Sequence, residues 1–575
     1  MQTAHTPKIG IGISDFPELR AGAFLFVDKS FFIQEIIETG AKVLLIPRPR
    51  RFGKTLNLSM LRTFFERQEN EAARAEVSSL FDGLAIRDTA AFAQHFAAYP
   101  VIFLTFKDVK ERCFADALYK LKDVISEEYR RLRDCLPLAG ENVAYCKNIL
   151  TGQGSAQEYT LALRKLSTFL YEHCNVPAVI LIDEYDTPIH AAWQHGYYDE
   201  MISFMRGLLS GGLKDNPHIY KGIITGILRV AKESIFSDLN NLDIYTILER
   251  PFADKFGLTP EELGDLFAMY GLEHRLEEAD AWYNGYCFGE YTIFNPWSIL
   301  NFVSHNPPRP EPYWANTSAN TLIRDLIVDG GLEVRENMER LIQGKSIESV
   351  IDKNIVFPEL HKKDRYLYSL FFFSGYLKCV SMTMREEELV CELAIPNREI
   401  RYIFRNIISV WLEESFGSRK LRVMLQALVD GNLDQFERLL NEFVVTTLSF
   451  FDAKGKNPEA VFQAFVLGML LNLGQEYEIS SNRELGYGRY DILALPRKDR
   501  NRPAILMEMK SITGFYRQDP EEAIAEAVEQ INNRAYAKEL AARGYSNVIR
   551  LVVVSDGKKV WVRQVTEAGN TPASP

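Results

Sequence analysis

The 575-residue chain carries 66 Lys and Arg against 77 Asp and Glu, a formal charge of −11, with 47% hydrophobic and 25% charged residues. This is globular composition over about three or four domains, and the charge excludes a global basic field while leaving room for a local basic groove. No apolar run approaches the ~20 residues that span a bilayer, no charged-then-apolar leader opens the chain, and the 7 cysteines are dispersed without Cys-x-x-Cys pairs, so the expectation is a cytoplasmic protein with no membrane partner, disulfide framework or zinc cluster.

The first strong element is an apolar run, Val43-Leu44-Leu45-Ile46, short enough for a buried strand. Arg48-Pro49-Arg50-Arg51-Phe52-Gly53-Lys54-Thr55 follows, and then Leu56, Met60, Leu61, Phe64 and Phe65 recur like a helix face. Strand, tight turn ending Gly-Lys-Thr, and helix is the context of a phosphate-binding loop. The helix start offers unpaired N–H groups, Lys54 can reach the β- and γ-phosphates of ATP, and the Thr55 hydroxyl can ligate Mg²⁺. The glycine that usually begins such a loop is replaced by Arg48, followed by Pro49. Arg50 or Arg51 is therefore expected to contact phosphate, or another protein segment, in place of part of the backbone cradle that Phe52 and Gly53 complete.

Three more apolar strands follow, at Pro100–Phe106, Ala178–Ile182 and Tyr220–Gly226. Helical stretches near Cys113–Arg133, Gln157–His173 and Tyr198–Leu213 separate them. Strands apolar throughout and alternating with helices predict an α/β fold, a parallel sheet covered on both faces. The third strand runs into Asp183-Glu184, at the edge where open parallel sheets bind ligands. Asp183 can hold Mg²⁺ and Glu184 can orient and deprotonate water. Thr225 ends the fourth strand and would sense the γ-phosphate. Arg229 is either a phosphate contact or a solvated surface residue. Arg48, Arg50, Arg51 or Arg229 could also serve a neighbouring subunit in a homo-oligomer.

Residues 1–255 thus read as the nucleotide-binding core. Thr259 caps a helix opened by Pro260, and an aromatic, turn-rich segment leads to the Asn306-Pro307-Pro308 linker. Residues 256–320 are expected to form a helical, winged-helix-like lid, and residues 321–450 a mostly helical connector with a hairpin-like insert around Leu370–Ala394. Residues 451–575 alternate again, with a helix Ala460–Leu473, a strand pair around Glu484 and Tyr490–Leu495, a strand Ala504–Glu508, a helix Glu521–Arg543 and a strand Val548–Val554.

In that last domain Asp491 lies one strand away from Glu508-Met509-Lys510. Glu508 and Lys510 share a face because strand side chains alternate. Aspartate beside Glu-x-Lys can bind Mg²⁺ or Mn²⁺ and activate water for phosphodiester cleavage, with the lysine near the developing charge. Glu484 across the hairpin, or Glu459, is the candidate further acid. Arg483, Arg489, Arg497, Lys498, Arg500 and Arg502 could meet a phosphate backbone, although a solvated turn suits the last four.

Asp15-Phe16 with Leu19-Arg20, Val27-Asp28-Lys29-Ser30, the Arg48–Thr55 string, Ile182-Asp183-Glu184-Tyr185-Asp186, Tyr283-Asn284-Gly285-Tyr286 and Asn295-Pro296-Trp297-Ser298 resemble the bacterial AAA-ATPase-like family. Its members typically carry a C-terminal PD-(D/E)XK nuclease-like domain. The resemblance implies a P-loop NTPase core with a strand inserted between the loop strand and the Asp-Glu strand, and a restriction-endonuclease-like α/β domain at the C-terminus. It makes the missing glycine a family trait, and it implies nucleic acid as a partner. A helix with Gln530 and Tyr536 would pack beside the nuclease-like site.

Overall fold

The computed structural model describes residues 6–137, 139–229, 241–314, 326, 332–342, 344–354, 357–360, 364–447, 466, 469–470, 473, 476–481, 484–485, 488–512, 519–533, 540–556 and 559–565. The chain divides into two compact units, Met1–Asn316 with Glu348–Ile400, and Thr317–Ile347 with Arg401–Pro575.

The first unit is built on a parallel sheet of β1 (Val43–Pro47), β2 (Val101–Thr105), β3 (Ala178–Asp183), β4 (Ile219–Gly226) and β5 (Leu242–Ile244). Their order is β2-β3-β4-β1-β5. Every residue of β1 and β3 is buried, which explains why these strands read as unbroken apolar runs. β4 stands between the loop strand and the Asp-Glu strand, as the resemblance implied. The pairing Pro47↔Gly226 aligns the ends of β1 and β4, and Thr105↔Asp183 aligns those of β2 and β3. Loop and acids therefore emerge at one carboxyl edge.

The helices depart from expectation in places. The stretch Gln157–His173 is two helices, Ala156–Thr160 and Ala162–Cys174. Gly207 and Gly211 of the neighbouring helix Tyr198–Leu213 crowd Thr160 at this break. A short helix Thr187–His195 also follows β3, with proline in its first turn and Gly196 (φ +81°) closing it. Further along, the helices Pro260–Met269, Leu276–Tyr283 and Pro296–His305 accompany a hairpin of β6 (Tyr286–Phe288) and β7 (Tyr291–Ile293). Thr259 caps the first of these through a reciprocal bond with Glu262, as its sequence signalled. A small sheet, order β8-β10-β9, follows from β8 (Ile347–Val350), β9 (Lys378–Arg385) and β10 (Glu388–Ala394).

The second unit holds a mixed sheet in the order β11-β14-β15-β16-β17. Its strands are β11 (Tyr477–Ser481), β14 (Ile492–Pro496), β15 (Ala504–Ser511), β16 (Val548–Ser555) and β17 (Val560–Gln564), and a separate hairpin pairs β12 (Glu484–Leu485) with β13 (Gly488–Arg489). One face carries Ile505, Met507 and Met509 of β15 with Met424, Phe436 and Phe443. The other carries Leu506 with Ala523, Ile524, Ala527 and Ile531 of the helix Pro520–Asn533. The outcome is an α/β sandwich. The expected pairing of Glu484 with the Tyr490–Leu495 strand is corrected: β14 pairs with β11, whose polar Glu478, Ser480 and Ser481 concealed it as a strand. Among the described residues, no helix is long and apolar enough to cross a membrane.

Candidate functional site

The Arg48–Thr55 loop leaves β1 and enters the helix Lys54–Phe65 through Gly53, whose φ of +84° is left-handed. A side chain at Gly53 would meet open space, so backbone conformation rather than crowding asks for glycine. Arg48 is fully buried. Its guanidinium donates to the carbonyls of Pro47 at 2.8 Å, Tyr245 at 2.6 Å and Phe252 at 3.3 Å. It also lies over the rings of Phe256 and Phe288, at 5.0 and 5.5 Å. Arg48 thus pins the loop from inside, which corrects the expectation that it could face a neighbouring subunit. The Phe52 ring turns inward too, 5.0 Å from Tyr286 and 5.1 Å from Phe288. Arg51 has a left-handed φ of +68° and sits 4.0 Å over the Trp297 ring. Burial lowers its pKa, with Arg50 adding to the effect and Glu184 opposing it. The positive charge of Arg50 adds to the burial that lowers the pKa values of Lys54 and His190.

Lys54 is buried, and its ammonium folds back onto the carbonyls of Arg48 (3.0 Å) and Pro49 (2.9 Å). Burial lowers its pKa, while Glu184, Asp183 and Asp186 work in the opposite direction. Both oxygens of Asp183 are engaged: Thr55 Oγ1 donates to one at 2.8 Å and Thr225 Oγ1 to the other at 2.7 Å. Burial raises the Asp183 pKa, and those two hydroxyls oppose the rise. A loop hydroxyl held on a strand-end carboxylate is a hard-oxygen donor set that suits Mg²⁺, so Thr55 and Asp183 are the residues that would hold it. Glu184 has a left-handed φ of +51° and accepts from Thr187 Oγ1 at 3.1 Å. Strain of this kind at a non-glycine residue persists only where surrounding structure enforces it.

Asp186 was not singled out in the sequence. Its Oδ2 accepts the N–H groups of Ile227 (2.8 Å) and Leu228 (2.9 Å), while the Tyr185 hydroxyl donates to the Leu228 carbonyl at 2.8 Å. A Cβ on Gly226 would lie 2.7 Å from Asp186 Oδ1 and 2.8 Å from the Tyr185 ring. The signal was legible as Asp-Glu-Tyr-Asp together with Thr-Gly: the second pair locks the end of β4 to the turn after β3. Arg229 lies just past that lock. Tyr185, Glu249 and Asp352 are the groups that raise its pKa against the lowering by burial. Among the described residues, no hydrogen bond joins it to Lys54 or Asp183.

In the second unit, Ile492↔Met507 is the last paired position of β14 and β15, and one step further Asp491 faces Glu508. Asp491 Oδ2 accepts the Met509 N–H at 2.7 Å. Glu508 is buried and Lys510 half-buried. Both alternate with Met507 and Met509 and so share the face of Leu506, under the helix Pro520–Asn533. On that helix the buried Gln530 Oε1 has no hydrogen-bond partner among the described residues. Two opposed carboxylates with a lysine on the same face form a hard-oxygen site that suits Mg²⁺ or Mn²⁺. Glu484 belongs to the β12–β13 hairpin, and its side chain, like that of Arg489, lies outside the described residues. Glu459, Arg483, Tyr536 and most of the expected helix Ala460–Leu473 lie outside them as well.

Comparison with known proteins finds a match for each of the two regions. Residues 10–236 match the family described as predicted AAA-ATPase, and residues 457–565 match the PD-(D/E)XK nuclease superfamily. A relative from Azotobacter chroococcum mcd 1, described as an uncharacterized protein in vnfD 5'region, is 24% identical over 547 residues, covering 93% of this chain and 94% of the relative. The chain therefore joins an AAA-ATPase-like region, residues 10–236, to a C-terminal PD-(D/E)XK nuclease superfamily domain, residues 457–565.

Proposed function

We propose that the protein binds and hydrolyses ATP in its first unit and that this activity controls metal-dependent cleavage of DNA or RNA in its C-terminal domain. The observation that carries the reading is the convergence of Thr55 and Thr225 on Asp183, at 2.8 and 2.7 Å. It supports a loop hydroxyl, an acid and a γ-phosphate-sensing hydroxyl acting at one point. Lys54 would exchange its two loop carbonyls for phosphate oxygens. Arg50 would add charge from the loop, and the N–H groups of Phe52 to Thr55 would complete the cradle. Bound Mg²⁺ would neutralise phosphate charge. Glu184 would orient the attacking water and accept its proton. In the second unit, Asp491 and Glu508 would hold the metal, and Lys510 would stabilise charge developing on the phosphodiester.

The test is a cleavage assay across single- and double-stranded DNA and RNA, with Mg²⁺ or Mn²⁺, with and without ATP. Wild type is expected to cleave at least one form in an ATP-dependent way. Lys510→Ala should abolish cleavage while retaining ATP hydrolysis, and Lys54→Ala should abolish hydrolysis. No cleavage of any form by wild type would defeat the nuclease reading. ATP hydrolysis unchanged in Lys54→Ala would defeat the assignment of the nucleotide site.

A further inference from the structure

Glu184 sits in a turn whose backbone is tied on both sides. Before it, the Phe106 N–H donates to the Asp183 carbonyl at 3.0 Å; after it, the Tyr185 N–H donates to the Thr225 carbonyl at 3.1 Å. The side chains of Tyr185 and Asp186 fasten the same turn to Ile227 and Leu228. Pro188, buried in the first turn of the helix Thr187–His195, fixes its own φ. Between these ties Glu184 keeps its left-handed φ of +51°, so what stays variable is its side chain.

A glutamate side chain has much rotamer freedom to lose, and a proton acceptor works only when its oxygen stands within hydrogen-bond reach of the water it deprotonates. Other groups draw on this carboxylate. Its negative charge opposes the lowering, by burial, of the Lys54 and Arg51 pKa values. Among the described residues neither cation pairs with it. The Lys54 ammonium lies on the carbonyls of Arg48 and Pro49, and the Arg51 guanidinium lies over the Trp297 ring. With phosphate on Lys54, Arg51 is the cation that would draw an untethered carboxylate aside.

The tether is Thr187, whose Oγ1 donates to Glu184 Oε2 at 3.1 Å. Both residues are half-buried, so the bond is partly shielded from competing water. Among the described residues Oε1 accepts no hydrogen bond, which leaves that oxygen for a water. Nor does the hydroxyl serve the helix. Asp186 occupies the N-cap position, and the Thr187 hydroxyl has the acid, not helix N–H groups, as its partner.

We infer that Thr187 is a positioning residue for Glu184: its hydroxyl tethers one carboxylate oxygen and so presents the other to the attacking water. The inference rests on Glu184 being the proton acceptor of ATP hydrolysis, as proposed above. It asks only for a hydroxyl at position 187, so serine should serve there and valine should not.

Steady-state ATP hydrolysis by the full chain tests it, with a fluorescent ATP analogue reporting affinity. Thr187→Val keeps the side-chain shape and removes the hydroxyl. It should lower kcat between about tenfold and a hundredfold, the scale of a misplaced reacting group, while analogue affinity and melting temperature hold. Thr187→Ser should restore most of kcat. In a Glu184→Gln background, Thr187→Val should cause no further loss, because a residue acting through another has no effect once that one is gone. An unchanged kcat in Thr187→Val would overturn the inference. So would a loss that multiplies with that of Glu184→Gln, or one accounted for by weaker analogue binding or a lower melting temperature. A wild type no faster than Lys54→Ala is a separate outcome: it would defeat the hydrolysis reading itself, and the inference with it.

Discussion

Arg48 occupies the position where a phosphate loop usually begins with glycine, and its guanidinium points into the protein. Desolvating a cation is costly unless its donors find acceptors. Here the carbonyls of Pro47, Tyr245 and Phe252 accept, and two ring faces cover the remainder. Burial lowers its pKa to about 9, which leaves the group charged at neutral pH. The arginine does conformationally what glycine does sterically in other loops: it sets the path of the backbone, here by tying the loop to the segment after β5. Arg48→Gly should therefore damage the loop although it restores the commoner residue. Carbonyls of Tyr245 and Phe252 would lose their donor, and the expected loss is about 3 kcal/mol of stability, read as a lower melting temperature with weaker nucleotide binding. An unchanged melting temperature would refute the pinning role. From the sequence, the charge of Arg48 was visible but its direction was not, because direction depends on carbonyls some 200 positions later in the chain.

Helix starts are a second place where local chemistry controls larger architecture. Glu399, in the first turn of the helix Arg398–Phe416, is buried. It accepts from Ser298 Oγ at 3.0 and 2.8 Å and from the Trp314 N–H at 2.8 Å. It thereby ties three separate stretches of the first unit together. The ionisable groups around it are Tyr283, Tyr286 and Tyr313. Burial raises its pKa from 4.5 to about 7 against the opposing hydrogen bonds. A folded-state value above the unfolded one means that the contribution to stability is complete below pH 4.5 and is lost as pH rises through about 7. The swing is about 3 kcal/mol. Wild type compared with Glu399→Gln should lose that much relative stability across this window in denaturant melts, and a pH-independent difference would refute it. The elements themselves were largely legible in the sequence. β1 is an apolar run, β3 is one up to its closing Asp183, β4 carries the apolar Ile223-Ile224 despite Lys221, and β15 announces its Glu508-x-Lys510 face by alternation. The helix Thr187–His195 was missed despite its Thr-Pro start and Gly196 end, because nine residues give too few turns for a periodicity to show. β11 was missed because its polar positions resemble a loop.

At the scale of the whole molecule, the chain has two compact units, each with its own sheet. Each has a candidate metal site made by different means. In the first, a loop hydroxyl and a strand-end aspartate meet across a parallel sheet, where β4 delivers Thr225 between them. In the second, Asp491, just before β14, and Glu508 and Lys510 of the antiparallel β15 share one face of the sheet. Pairing register explains why the second set was readable from sequence: alternation fixes the face once the strands are assigned. It also explains why Asp186 was not, since its role depends on amides contributed by Ile227 and Leu228. Separate cores predict separate melting, because cooperativity extends only as far as shared packing. Calorimetry of the full chain should then resolve two transitions. Mg²⁺-ATP, binding the native first unit, should raise one of them, by about 2.7 kcal/mol at a hundredfold excess over its dissociation constant. Mn²⁺ without nucleotide should raise the other. Lys54→Ala should erase the nucleotide shift and leave the Mn²⁺ shift, whereas Glu508→Gln should do the reverse. If both ligands moved one common transition, or if each variant erased both shifts, the assignment of two independent sites to two units would fail.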